Sequence, residues 1–328
     1  MMQKTQYNTD ILIVGAGMAG LAAASELRKT GRKVLVVDKG RGVGGRLANR
    51  RFGGATFDIG AQFLTAREPR FAAAVDVWLK AGLAVEWYSS STEGSAGHPH
   101  WRGNPAMTAI AKHLANDVEL LLGKRATLLR QATGGWNAEL ESGETVSAGA
   151  VLLTPPAPQS MNLLESGGFE PSQNKKTRLK NIEYERCFAV MAVLDGPSRI
   201  PAPGWFRPDE GPIAWLADNQ IKGVSAIPAV TIHATADFSL EHWDTDRQET
   251  GRMLLRAAEP WLGSHVTEFQ VHGWRYSKPV RTEKENCMVL NQSPPLLIAG
   301  DAFAGPRVEG ATLSGWAAAD TLILKKYI

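Results

Sequence analysis

The feature that most constrains this chain is a glycine triplet set between an apolar strand and an alanine-rich helix. Asp10–Val14 reads DILIV, Gly15, Gly17 and Gly20 follow as GxGxxG, and helical spacing continues to about Lys29. A second apolar run, Lys33–Asp38, ends on an acid eighteen residues after Gly20. Both runs are apolar on both faces, as a parallel sheet covered by helices requires. Gly15 permits a tight turn, Gly17 lets the backbone approach a pyrophosphate, and Gly20 lets the helix pack close to the strand. Free N–H groups and the helix dipole favour phosphates there, and Asp38 is placed to accept from a ribose diol. A glycine-rich turn in an unrelated α/β fold is the alternative, and strand, helix and acid together weigh against it.

The 328 residues are too many for one small core and suit two lobes. Lys and Arg number 36 against 33 Asp and Glu and are scattered, which supports neither nucleic acid nor a membrane surface as partner. The apolar stretch Ile11–Leu27 is broken by three glycines and Ser25-Glu26 and follows Asp10, so neither a signal peptide nor a spanning helix is expected. Cys187 and Cys287 stand alone, without a CxxC or Cys/His grouping. No metal site is expected, and a reducing, cytoplasmic location is.

Further along, Phe71–Leu83 has helical spacing, Ser89–His100 reads as an irregular surface loop, and Pro105–Leu114 reads as a helix with proline in its first turn. Val118–Leu153 reads as short strands in an antiparallel excursion that rejoins the main sheet at Val151–Leu153. Strands at Phe188–Leu194, Ile213–Asp218, Val230–Ala236 and Phe269–Tyr276, with a helix over Thr245–Leu262, form an α+β pattern with its own sheet. A short strand at Leu296–Ala299 precedes Gly300-Asp301 and a closing helix from about Gly310 to Lys326.

The later motifs distinguish FAD from NAD. Gly44-Gly45-Arg46 offers backbone and a guanidinium to phosphate oxygens or a flavin edge. Asp301 can bind a ribityl hydroxyl, and the start of the closing helix can face the flavin N1–C2=O edge. A plain NAD dehydrogenase needs none of these. Asp38-Lys39, Gly44-Gly45-Arg46 and Asp58-Ile59-Gly60-Ala61-Gln62 resemble glutathione-reductase-type flavoproteins of the amine oxidase superfamily. Trp101–Met107, Leu153–Gln159, His233, Trp274-Arg275-Tyr276 and Gly300–Phe303 resemble the renalase family within it.

The resemblance implies an α/β fold: a Rossmann-type, glutathione-reductase-like FAD domain with a second α+β substrate domain on a mixed or antiparallel sheet. The expected division is 1–64, 104–158 and 288–328 for FAD and 65–103 and 159–287 for substrate, with the reacting ring between the lobes. It implies FAD contacts at Gly15, Ala16, Gly17, Met18, Ala19, Gly20, Asp38, Lys39, Gly45, Arg46, Ala61, Gln62, Pro105, Met107, Ala126, Gly300, Asp301, Gly310, Ala311 and Thr312. FAD is expected to be non-covalent, because Cys287, the nearest candidate tether, lies more than ten residues before Gly300.

The implied activity is oxidation of 2- and 6-dihydro isomers of NAD(P)H to NAD(P)+, with hydride passing to flavin N5 and dioxygen reduced to hydrogen peroxide. A dihydropyridine becomes aromatic as it loses hydride, so no strong base is required. A flavin amine oxidase or desaturase-like dehydrogenase, and a non-catalytic FAD-bearing redox sensor, are the alternatives. Candidate pocket residues are His233, Trp274 and Tyr276, each of which can equally be core, as can Trp215. Arg67, Arg70, Arg275 and Arg307 are candidates for a substrate phosphate or for plain solvation.

Overall fold

The computed structural model describes residues 5–90 and 97–325. The chain forms two compact units, Met1–Gly45 with Ala111–Glu183 and Pro279–Ile328, and Arg46–Ile110 with Tyr184–Lys278.

In the first unit, strand Gln6–Val14 lies parallel between Val34–Asp38 and Thr145–Leu153. Glu119–Leu122 and Pro295–Ile298 extend the parallel sheet on either side. Met288–Gln292 closes one edge antiparallel, and the hairpin Ala126–Ala132/Gly135–Leu140 pairs with Thr145–Ala148, forming the expected excursion. Ile11, Ile13, Val36, Leu152 and Leu297 make the core with Leu21 and Leu27 of the first helix and Leu322 of the closing helix. These two helices, Met18–Arg28 and Val308–Leu324, meet at small residues: a Cβ on Gly315 would lie 2.1 Å from the Ala19 carbonyl oxygen.

In the second unit a five-stranded sheet runs Trp205–Phe206, Ile213–Asp218, Ala229–Ala234, Tyr184–Leu194, Val266–Pro279. Strand alternation divides its side chains. Phe188, Val190, Leu216 and Ile232 pack on Leu254, Ala258 and Leu262 of helix Arg247–Leu262. Met191, Val193 and Ala229, on the other face, pack on Phe57 and Ile59. The helix starts at Asp246, whose carboxylate accepts from the Gln248 and Glu249 N–H groups (2.9 and 3.1 Å), and ends at Gly263 with φ +72°.

Two local expectations are corrected. Of the expected loop Ser89–His100, the ends Ser89–Ser90 and His98–His100 belong to paired strands, Ala84–Ser90 and His98–Gly103, and residues 91–96 lie outside the described set. Tyr88 stacks across the pair on His100, with ring centres 4.3 Å apart. The helix expected from Pro105 starts at Thr108, because Asp58 Oδ1 takes the Met107 N–H at 3.0 Å and holds 105–107 as a turn. The closing helix ends at Leu324, and Lys326, its expected limit, lies outside the described residues.

Candidate functional site

The first unit carries the glycine-lined turn. Gly15 has φ +106°, and a Cβ there would collide with Thr154 Oγ1 at 2.4 Å. A Cβ on Gly20 would lie 2.0 Å from the Gly15 carbonyl oxygen, so helix and strand touch through bare backbone. Gly17 differs. Its φ of −81° and ψ of −177° suit any residue, and a Cβ there would meet nothing within 4 Å. Among the described residues no contact calls for glycine at 17, yet it opens the helix Met18–Arg28 with no side-chain cap. Open space over uncapped N–H groups is the cradle a pyrophosphate needs.

Asp38 ties this cradle together. Its Oδ2 accepts from Ala16 N–H and its Oδ1 from Gly40 N–H, both at 2.6 Å, leaving further lone pairs for a diol. Gly44 and Gly45, both at positive φ, come beside Gly17: Gly44 N–H donates to the Ala16 carbonyl at 2.8 Å, and a Cβ on Gly45 would lie 3.3 Å from Gly17 Cα. Lys39 is exposed, and half-buried Ala126 opens the strand after Gly123 and Lys124, whose N–H groups bond Gly40 and Asp38 carbonyls. Gly300 donates to Ser314 Oγ at 2.8 Å, anchoring the Gly300-Asp301 corner to the closing helix. Gly310 is required sterically, 2.2 Å separating its would-be Cβ from the Gly305 oxygen. Ala311 N–H bonds the Arg307 carbonyl, and buried Thr312 turns its hydroxyl to the Val308 carbonyl.

The second unit gathers most of the remaining candidates on segment Asp58–Gln62. His233 Nε2 lies 3.2 Å and Trp274 Nε1 2.9 Å from the same Ile59 carbonyl oxygen. A carbonyl only accepts, so His233 carries its proton on Nε2. Burial, reinforced by the charge of Lys222, pushes the His233 pKa down to about 4 against the opposing pull of the Ile59 bond, so the ring is neutral at pH 7. Ala61 N–H bonds the Arg46 carbonyl at 2.8 Å, and the Arg46 guanidinium donates to the Ser277 carbonyl at 3.2 Å. Tyr276 packs edge-on against Tyr184 rather than joining the Ile59 group. Pro105 is exposed, while Met107 is buried and enters through its N–H to Asp58.

Sequence reasoning missed the centre of this arrangement. Lys222 is wholly buried and donates to Asp58 Oδ2 at 2.9 Å and Gln62 Oε1 at 3.0 Å, with its ammonium 4.7 Å over the Trp87 ring. Gln62 Nε2 turns back to the Asp58 carbonyl at 2.7 Å, and Thr231 Oγ1 donates to that carbonyl too, at 3.1 Å. Burial lowers the Lys222 pKa, and the adjacent Asp58 carboxylate opposes the shift. Nothing near Lys222 in the sequence signals this, since Asp58 is 164 positions away. Also unforeseen is an aromatic cluster on the same face: Phe63, Trp87 and Trp205 pack against Trp215, with Trp205 and Trp215 stacked at 4.8 Å and 8°, and Tyr88 and His100 join through Trp205 and Phe63.

A glycine-cradled βαβ unit with a returning C-terminal helix, and a second unit built on an antiparallel sheet, define an FAD-dependent oxidoreductase of mixed α/β fold. Residues 70–323 match the family of flavin containing amine oxidoreductases, and residues 13–77 match an NAD(P)-binding Rossmann-like domain. The chain belongs to the flavin containing amine oxidoreductase family, and FAD is its cofactor. It is renalase-like: mouse (Mus musculus) renalase is 24% identical over 347 aligned positions, covering 97% of this chain and 99% of the relative. Putrescine oxidase of Kocuria rosea is 36% identical over 93 residues, 28% of this chain and 18% of that protein. A solved putrescine oxidase triple mutant superposes with TM-score 0.74 at 15% identity, covering 98% of this chain and all of that one, which shows a common fold. Among the described residues no helix is long and apolar enough to cross a membrane.

Proposed function

We propose that this chain is an oxidase of misreduced nicotinamides, converting 2- and 6-dihydro isomers of NAD(P)H to NAD(P)+ with dioxygen as final acceptor and hydrogen peroxide as by-product. One observation carries the reading. The aromatic face of the second unit already holds the chain's own cations, Lys222 over Trp87 at 4.7 Å and Arg207 over Trp215 at 5.8 Å. Asp58 offsets the Lys222 charge, but a protonated amine approaching Trp215 still meets the like charge of Arg207, whereas a neutral dihydropyridine meets no such repulsion.

Bound FAD supplies the two-electron acceptor and returns the electrons to dioxygen. The protein's own part is to hold, orient and exclude water. The first unit seats phosphates over the uncapped helix at Gly17. His233 and Trp274 fix the Ile59 carbonyl and with it the Gly60–Gln62 backbone. Loss of hydride from a dihydropyridine yields an aromatic ring and frees no proton, which suits a site whose histidine has a pKa of about 4. FAD is held without a covalent bond in this reading. Burial pushes the Cys187 thiol up to about 12 and raises that of Cys287, so neither is a thiolate nucleophile at neutral pH. The compartment proposed is the cytoplasm.

Anaerobic stopped-flow mixing is the test. Rapid bleaching of the flavin by the 2- or 6-dihydro isomers is the expected result. Bleaching by amines alone would make the chain an amine oxidase, and bleaching by no donor would make it an FAD-bearing sensor.

A further inference from the structure

Three guanidinium groups crowd one ring on the helix-covered face of the antiparallel sheet. Arg186, Arg247 and Arg275 have their Cζ atoms 4.9, 4.8 and 5.8 Å from the centre of the Trp243 ring. A single arginine stacked on tryptophan is ordinary packing. Three within such a radius lie within about a Debye length of one another (~10 Å at 0.1 M salt), so solvent ions leave much of their repulsion in place.

The repulsion has no counterweight among the described residues. Among the described residues no carboxylate forms an ion pair with any of the three. The nearest acids in sequence are engaged elsewhere: Glu185 faces Lys278 at 3.6 Å, and Asp246 caps the helix through Gln248 and Glu249. Among the described residues Arg247 alone of the three spends a side-chain donor on the protein, to the Trp243 carbonyl at 2.9 Å. Trp243 itself is buried and stacked on Phe188 at 5.2 Å, so the platform is rigid, while Arg275 is exposed and Arg186 and Arg247 are half-buried. The sheet also makes room: a Cβ on Gly273 would press to 3.1 Å from Trp243 and 3.3 Å from the Arg247 guanidinium.

The geometry points to a phosphoryl-binding site on this face, with Arg186, Arg247 and Arg275 as its donors. Stacked guanidiniums keep their N–H forks free in the plane, and a fork matches two oxygens of a phosphoryl group. A carboxylate offers two oxygens and one charge, too few for three forks, whereas a phosphate monoester or pyrophosphate offers three or more oxygens and at least two charges. The site lies on the sheet face opposite to that carrying His233 and Trp274 and does not depend on the substrate proposed above. Its phosphoryl group belongs either to a nucleotide or to a free polyphosphate.

Isothermal titration of the FAD-loaded protein with pyrophosphate and with 2′,5′-ADP, at 50 and 200 mM NaCl, tests this. At least one ligand is expected to bind, about tenfold or more weaker at the higher salt, and tenfold or more weaker to Arg186→Gln and to Arg275→Gln. Tighter binding of 2′,5′-ADP assigns the site to a nucleotide, and tighter binding of pyrophosphate to a free polyphosphate. A second readout needs no variant. Burial and the charges of Arg50 and Arg247 hold the His272 pKa at about 4, and an anion among the arginines raises it in an NMR titration. Absence of binding by both ligands, or equal binding to wild type and both variants, overturns the proposal.

Discussion

A buried ion pair is a demanding arrangement for single residues, and Lys222 with Asp58 makes it testable. Both side chains are fully withdrawn from water, so removing one partner leaves the other charged and unsolvated. Lys222→Met is expected to cost about 3–5 kcal/mol in urea unfolding, and adding Asp58→Asn should restore part of it. An unchanged midpoint in the single variant would show that the pair carries no such strain. His233 and His272 give a pH dependence of definite sign. Both have folded-state pKa values of about 4, below the ordinary 6.5 of an unfolded chain. The unfolded form therefore binds protons that the folded form refuses, and stability falls as pH drops from about 6.5 towards 4, remaining flat above. Urea midpoints at pH 7 and pH 5 should show the loss, and a His233→Asn/His272→Asn variant should show less of it.

At the scale of elements, the three glycines of the nucleotide turn divide by their reason for being glycine. Gly20 is demanded by packing, so Gly20→Ala should weaken both the fold and FAD binding, overpacking of this kind costing about 1–3 kcal/mol. A Cβ on Gly17 would meet no atom within 4 Å, so Gly17→Ala should leave unfolding of the FAD-free protein unchanged while weakening FAD binding tenfold or more. Equal effects of the two variants on the FAD-free protein would remove the distinction. This turn was legible in the sequence because its strand, glycines and helix are contiguous. The hairpin Ala84–Ser90/His98–Gly103 was not, because its second strand, HPHWRG, carries a proline and a glycine and takes its register from a partner strand about ten residues earlier, where Tyr88 stacks on His100.

For the whole molecule, FAD binds the folded state alone and stabilises it by mass action. At a hundredfold excess over its dissociation constant the gain is about 2.7 kcal/mol, read as a rise in the midpoint of a thermal scan of the FAD-stripped protein. With both thiols protonated at neutral pH, acid precipitation should leave a colourless pellet and a yellow supernatant. A pellet that stays yellow would mean a covalent link.

The sequence alone determined the βαβ unit, most strands of both sheets and the family resemblance, because 2- and 3.6-residue periodicity and glycine spacing are written in neighbouring residues. Only the tertiary structure decided what those strands present. It put Lys222 beneath Asp58, turned His233 and Trp274 onto one carbonyl, and gathered Arg186, Arg247 and Arg275 around Trp243. Each of these depends on residues far apart in the chain, and the burial that shifts their charges exists only once the chain has closed around them.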